Sequence, residues 1–204
     1  MLVNRYDECM TQIRRLQIVL VLNICMLFGL AIVGMSSHSL GVLAAGGDYL
    51  LDSSAIIFGL FAILVRNRNE NRSNATNFAA LLNVLMLLSV TIVVILEAVN
   101  RLLNHAPHIH ALPVALVSFL AAGVMTIGAF ILEGEDADLN MRSVWLDTVA
   151  DAVSATAIGV TALVILISNN YFWADSVVAI LISTAICYQA FKLLRDVVRD
   201  FARQ

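Results

Sequence analysis

Six runs of about twenty apolar residues, at 16–35, 40–65, 78–100, 112–132, 143–167 and 173–194, leave this chain little choice of fold. A run of that length crosses the hydrocarbon core of a bilayer as a helix. In lipid every backbone N–H and C=O must be paired within the protein, and a helix does this by itself. Only two prolines and ten glycines are spread over the 204 residues, so the runs have few breakers. A transmembrane barrel would need many strands of about ten residues alternating apolar and polar, and these runs are twice that length. The expected fold is therefore an all-α membrane protein, a six-helix transmembrane bundle. Composition agrees: 60% of residues are hydrophobic, 13% are charged, and the mean hydropathy is +0.88, far from the usual soluble range. A single transmembrane domain over residues 1–204 is expected, with no soluble domain, because none of the connections is long enough to fold alone.

Charge placement sets the orientation. Arginine and lysine near span ends are held on the cytoplasmic side. Arg5, Arg14, Arg15, Arg66, Arg68, Arg72, Arg142, Lys192, Arg195, Arg199 and Arg203 all fall on the side of the termini, and only Arg101 falls opposite. Both termini are expected in the cytoplasm of a multi-pass protein of bacterial inner-membrane type. The basic residues ahead of the first span resemble a signal peptide, but no clear small-residue cleavage pattern follows, so an uncleaved first helix is expected. Cys9, Cys25 and Cys187 are scattered without CxxC spacing, which indicates neither a disulfide framework nor a thiolate metal site. The net charge of −3, without a basic run interleaved with aromatics, gives no sign of nucleic-acid binding.

The chemistry lies in acids placed where acids are expensive. A carboxylate inside a span costs several kcal/mol, so those that occur usually face the bundle interior or a wet cavity. Span two carries Asp48 and Asp52, and span five carries Asp147 and Asp151. Each pair is four residues apart, on one helix face and about one turn apart. Facing helices could thus offer four carboxylates to one ion. The blander account has each acid bonding helices together through Ser53, Ser54, Thr148 or Ser154. Two pairs at identical spacing exceed what such bonding needs. Oxygen ligands without thiolate or thioether suit hard or borderline divalent cations and argue against copper(I). Metal and protons would compete for the same carboxylates, which is a physical basis for exchange.

The surroundings of these acids resemble the cation diffusion facilitator family of divalent-metal antiporters. His38 through Asp52 is similar to the family's S-x-A-V-L-A-D-A-x-H-x-x-x-D stretch, and Asn140-Met141-Arg142 through Asp151 to its N-x-R-A-x-x-L-H-x-x-x-D segment. Trp173-Ala174-Asp175 matches the W-A-D that opens its last span. Ala79 to Asn83, and Glu97-Ala98 with Arg101, are similar to its A-A-x-x-N and E-A-x-R-R-L elements. The resemblance implies that the transported ion binds between spans two and five, at Asp48, Asp52, Asp147 and Asp151. It also implies export of zinc, cobalt or cadmium against protons. Asp48 and Asp147 stand where zinc-transporting members commonly carry histidine, which widens the field to manganese and iron. Ala45 replaces a frequent aspartate. Many members carry a cytoplasmic carboxyl-terminal domain that holds a dimer together; the chain stops soon after span six, so a short form without that domain is expected. A homodimer through packed spans stays open, since membrane helices associate through small residues and hydrogen bonds.

Other residues are read more plainly. His105, His108 and His110 are expected as solvated outer-loop residues, with a weak metal site as the alternative. Glu133, Glu135, Asp136 and Asp138 form an inner acidic stretch able to concentrate cations or simply to be solvated. Asn23 and Asn83 are expected in packing, Glu97 in an i,i+4 ion pair with Arg101, and His38 at the interface. Asp175 is expected to be a helix-start acid favoured by the macrodipole, with a metal role left open by its W-A-D match. No G-x-S-x-G, P-loop or H-E-x-x-H pattern occurs, so no enzyme and no resident cofactor are expected. The expected partners are divalent metal ions, protons and membrane lipid. The competing readings are a non-transporting partner or metal-binding subunit and a small exporter of organic cations. The latter would be expected to offer aromatic-lined space beside its acid.

Overall fold

The computed structural model describes residues 2–66, 73–104, 107–132 and 139–202, with side chains described for 17–53, 81, 84–104, 107–132, 144–192, 194 and 195. Six helices follow one another: α1 (Leu2–Ser37), α2 (Leu40–Arg66), α3 (Ser73–Leu103), α4 (Ala111–Leu132), α5 (Leu139–Ser168) and α6 (Trp173–Ala202). Their centres coincide with the six apolar runs. Several are longer, because a helix does not stop where the hydrocarbon ends, and no proline breaks α1, α3, α5 or α6 beyond it. The residues after the last apolar run continue α6 directly, as far as Ala202.

Five stretches among the described residues are long and apolar enough to cross a membrane: Gln17–Ser37, Val84–Leu103, Ala111–Leu132, Val144–Ser168 and Trp173–Lys192. With α2, they make a multi-pass integral membrane protein. Its outward faces are apolar, with Phe28, Ile32, Val93, Leu96, Phe130 and Leu181 exposed. In water such a surface would aggregate; in a bilayer it is the solvated face.

Helices α1, α2, α4 and α5 form a ring in which each touches the next, and α3 and α6 pair beside it, packing on α2 and α5. Helix α2 touches α1, α3, α5 and α6 and is the centre of the bundle. Small residues make these approaches possible: Ala44, Ala45, Ala98, Ala121, Ala155, Ala162 and Ala179 are all buried. Gly34 is the tightest case, since a Cβ there would lie 2.9 Å from Leu43 Cδ2. Without a hydrophobic force between helices in lipid, association depends on close packing and hydrogen bonds.

The helix ends near residues 37–40, 101–111 and 168–175 share one end of the bundle. His38, at φ 57°, closes α1 in a left-handed C-cap, with the Ser39 N–H donating to Gly34 O at 3.2 Å. Asn169, at φ 50°, ends α5 similarly, and asparagine tolerates that conformation well. The His110 N–H donates to Ser37 O at 3.3 Å, joining the start of α4 to the α1–α2 turn.

Candidate metal-cation site

The site is built on α2 and α5. The i,i+4 spacing keeps Asp48 and Asp52 on one face of α2, and the same spacing serves Asp147 and Asp151 on α5. Asp151 is buried, at 5% exposure. Its carboxyl lies within hydrogen-bonding reach of both Asp48 and Asp52. A carboxyl–carboxyl contact of this kind needs a proton between the two groups, since two carboxylates have no donor. Asp48 and Asp52 are half-buried. Asp147, one turn from Asp151, is exposed; it is near enough to the other three to act on them electrostatically, and Lys192 of α6 acts on it in turn.

The structure therefore gathers two of the four aspartates, Asp48 and Asp52, around Asp151 and leaves Asp147 at the rim. Among the described residues, no group of three or more His, Cys, Asp or Glu side chains is arranged to hold a metal ion as it stands. Two of the four hydroxyls of the blander account do not take up the aspartates: Thr148 Oγ1 donates to Val144 O of its own helix at 2.8 Å, and Ser53 Oγ is buried without a partner; the Ser54 side chain lies outside the described residues. A separate cavity of about 650 Å³ beside α4 and α5, lined by Phe130, Trp145, Val149 and Val153 among others, contains none of the four aspartates. Its walls are mostly apolar, and the two hydroxyls among them, of Thr126 and Thr156, donate to carbonyls of their own helices.

Asp175 stands in the first turn of α6, as expected, and does more than that position required. It opens α6, yet its carboxylate serves the start of α2. Oδ1 accepts from Ser39 Oγ at 2.6 Å and from the Gly41 N–H at 3.3 Å, and Oδ2 accepts from the Leu40 N–H at 2.7 Å. Ser39 Oγ in turn accepts from the Val42 N–H at 3.3 Å. The first N–H groups of α2, which a helix cannot pair internally, are thus satisfied by one serine and one aspartate borrowed from another helix. With both oxygens engaged and 3% exposure, Asp175 is a helix clamp. Sequence spacing could not show this, because the partner residues are 134 to 136 positions away. Gly41 leaves room for it: a Cβ at that position would sit 3.1 Å from Asp175 Oδ1.

Arg101 adds a second tie at the same end. Its Nε donates to Glu97 Oε1 at 3.0 Å, the expected i,i+4 pair, and its Nη1 donates to His38 O at 2.6 Å. His108 stacks on Phe172, ring centroids 4.3 Å apart. His38 and His110 are exposed, as expected of outer-loop and interfacial residues. Asn23 is buried on α1 with no partner for its Oδ1. His105, the Glu133 to Asp138 stretch and the Asn83 side chain lie outside the described residues.

A membrane-embedded helical bundle with paired acids on two touching central helices defines the class, an integral membrane protein with a polar core. Residues 16–202 match the cation efflux transmembrane domain, and the chain belongs to that family. It is 28% identical over 174 residues to the zinc transporter ZitB of Escherichia coli (strain K12), covering 82% of this chain and 55% of ZitB. Over 190 residues it is 25% identical to the metal cation efflux system protein CzcD of Cupriavidus metallidurans, covering 90% of this chain and 60% of CzcD. It is 23% identical over 191 residues to the cadmium, cobalt and zinc/H(+)-K(+) antiporter of Bacillus subtilis (strain 168), covering 87% of this chain and 61% of the antiporter. The chain spans between half and two thirds of the length of these relatives.

Proposed function

We propose that this protein moves divalent metal cations across the membrane in exchange for protons, with Asp48, Asp52, Asp147 and Asp151 as the transported ion's ligands. The observation that carries this reading is the gathering of Asp48, Asp52 and Asp151 between α2 and α5, in contacts that need protons. Those protons are the natural counter-cargo. A divalent ion entering from the Asp147 rim would displace them, and its release would let them return. Asp147 is the first carboxylate the ion meets, and Asp151 is the innermost. Oxygen ligands favour zinc, cobalt, cadmium, manganese or iron(II) over soft monovalent ions. The names of the relatives, a zinc transporter and a cadmium, cobalt and zinc antiporter among them, support the same class of cargo. Export, with proton entry driving metal outward, rests on the resemblance to the family, and the basic residues favour an orientation with both termini in the cytoplasm.

The test is metal uptake into proteoliposomes under an imposed proton gradient, with zinc, cobalt, cadmium, manganese and iron(II) run against Asp48→Ala and Asp151→Ala. Uptake of any metal that requires both the gradient and the aspartates is the expected result. If folded, oriented protein moves none of them, the reading falls and a metal-binding or partner subunit takes its place.

A further inference from the structure

Tyr49 stands between the two aspartates of α2, at a position the resemblance to the family leaves unspecified. It is among the most buried side chains, at 1% exposure. Its hydroxyl has no hydrogen-bond partner, although Asp151, Asp52 and Asp48 are all near enough to act on it electrostatically. Buried tyrosines normally place the O–H on an acceptor, and an unpaired one costs free energy. Phenylalanine would fill the same space without that cost. The surroundings are rich in acceptors, but in the arrangement described these carboxyls are engaged with one another.

Resting on the four-aspartate reading above, we propose that Tyr49 is a positioning residue of the cation site, its hydroxyl donating to Asp151 once the aspartates turn from one another onto a cation. A carboxylate that binds a metal through one oxygen keeps its other oxygen free to accept. Donors to that outer oxygen hold the ligand's orientation, and their loss typically weakens metal affinity about 10–100-fold. A neutral hydroxyl suits this task where a lysine or arginine would repel the cargo. The orphaned O–H is thus a donor whose acceptor is delivered by metal binding. The arrangement favours the loaded state over the proton-bridged one, because the loaded state gives the Tyr49 hydroxyl its acceptor.

The experiment is zinc binding by calorimetry on the full chain in lipid nanodiscs, paired with thermal unfolding without added metal, for wild type, Tyr49→Phe, Asp151→Asn and the double variant. Tyr49→Phe is expected to weaken zinc binding at least tenfold while leaving metal-free stability equal or higher, since it removes an unpaired hydroxyl. In the Asp151→Asn background the same change should cost nothing further. Unchanged affinity in Tyr49→Phe, alongside lost affinity in Asp151→Asn, overturns the role of Tyr49 and leaves the site intact. Weakened binding with an equal loss of metal-free stability overturns it too, since that is the mark of packing. Undiminished binding in Asp151→Asn overturns the four-aspartate site itself and Tyr49 with it.

Discussion

Replacing Asp175 by alanine tests whether α2 depends on a cap supplied by α6. The carboxylate receives two short hydrogen bonds, from Ser39 Oγ and the Leu40 N–H, and a longer one from the Gly41 N–H. Hydrogen bonds to a charged group contribute about 1.5–3 kcal/mol each, so the two short ones sum to about 3–6 kcal/mol. Against this stands the desolvation of a buried carboxylate, several kcal/mol that alanine would no longer incur. Ordinary N-cap removals cost about 0.5–2 kcal/mol, and here two backbone donors and a serine are stranded together in a buried place. We expect Asp175→Ala to destabilise the protein by about 3 kcal/mol, on the balance of these terms. For a chain of this size that corresponds to a fall in melting temperature of about 6–12 °C. The assay is thermal unfolding in detergent at one fixed heating rate, because membrane proteins often unfold irreversibly and only matched scans compare. Asp175→Asn keeps one acceptor oxygen and should lose roughly half as much. A shift below about 2 °C for the alanine variant, under 1 kcal/mol by the same conversion, would refute the claim that the clamp stabilises α2.

Further outcomes follow from the same geometry. Asp147 is exposed at the rim while Asp151 is buried among the acids, so Asp147→Asn should weaken metal uptake and Asp151→Asn should abolish it, as concentration series in proteoliposomes would show. Gly34→Ala should destabilise by about 1–3 kcal/mol, because its Cβ would meet Leu43 and the fully buried Val42. Gly159→Ala should be neutral or stabilising in the same unfolding assay, provided the Phe119 ring yields: the three atoms nearest its Cβ all belong to that ring, which is 40% exposed, while alanine gains about 1 kcal/mol of helix propensity. Arg101→Met should cost no more than about 1 kcal/mol, since the lost bond to His38 O lies at an exposed place where water can replace it. Glu97→Gln should change stability by less than about 0.5 kcal/mol, the partner of Arg101 being half exposed.

The helices were legible because hydrophobic length is a local property; each span can be seen without knowing its neighbours. Their true ends were not, since the extensions of α1, α3 and α6 are polar enough to escape an apolar scan while remaining good helix. The spacing of Asp48, Asp52, Asp147 and Asp151 could be read directly, but that Asp151 sits among the others with Asp147 at the rim depends on how α2 and α5 are turned. Asp175 shows the limit most plainly. As an acid in the first turn of α6 it has a sufficient local explanation, and that explanation stops short of the α2 donors it also serves. Tyr49 carried no signal at all, because a missing hydrogen bond is visible only once every neighbour is in place.

The borrowed cap makes α2 a lever with its fulcrum at one end. Ser39, Leu40 and Gly41 are held by α6, and the preceding turn is held by Arg101 of α3 and by the start of α4. Asp48 and Asp52 lie along the arm, about 12 and 18 Å from the pivot at 1.5 Å per residue. A swing of about 10° about that pivot would carry the two carboxyls by roughly 2 and 3 Å, as those arm lengths dictate. That travel is on the scale of a metal–oxygen bond of about 2 Å, so with the proposed site a tilt of α2 about this end would be large enough to make or break the grip on an ion.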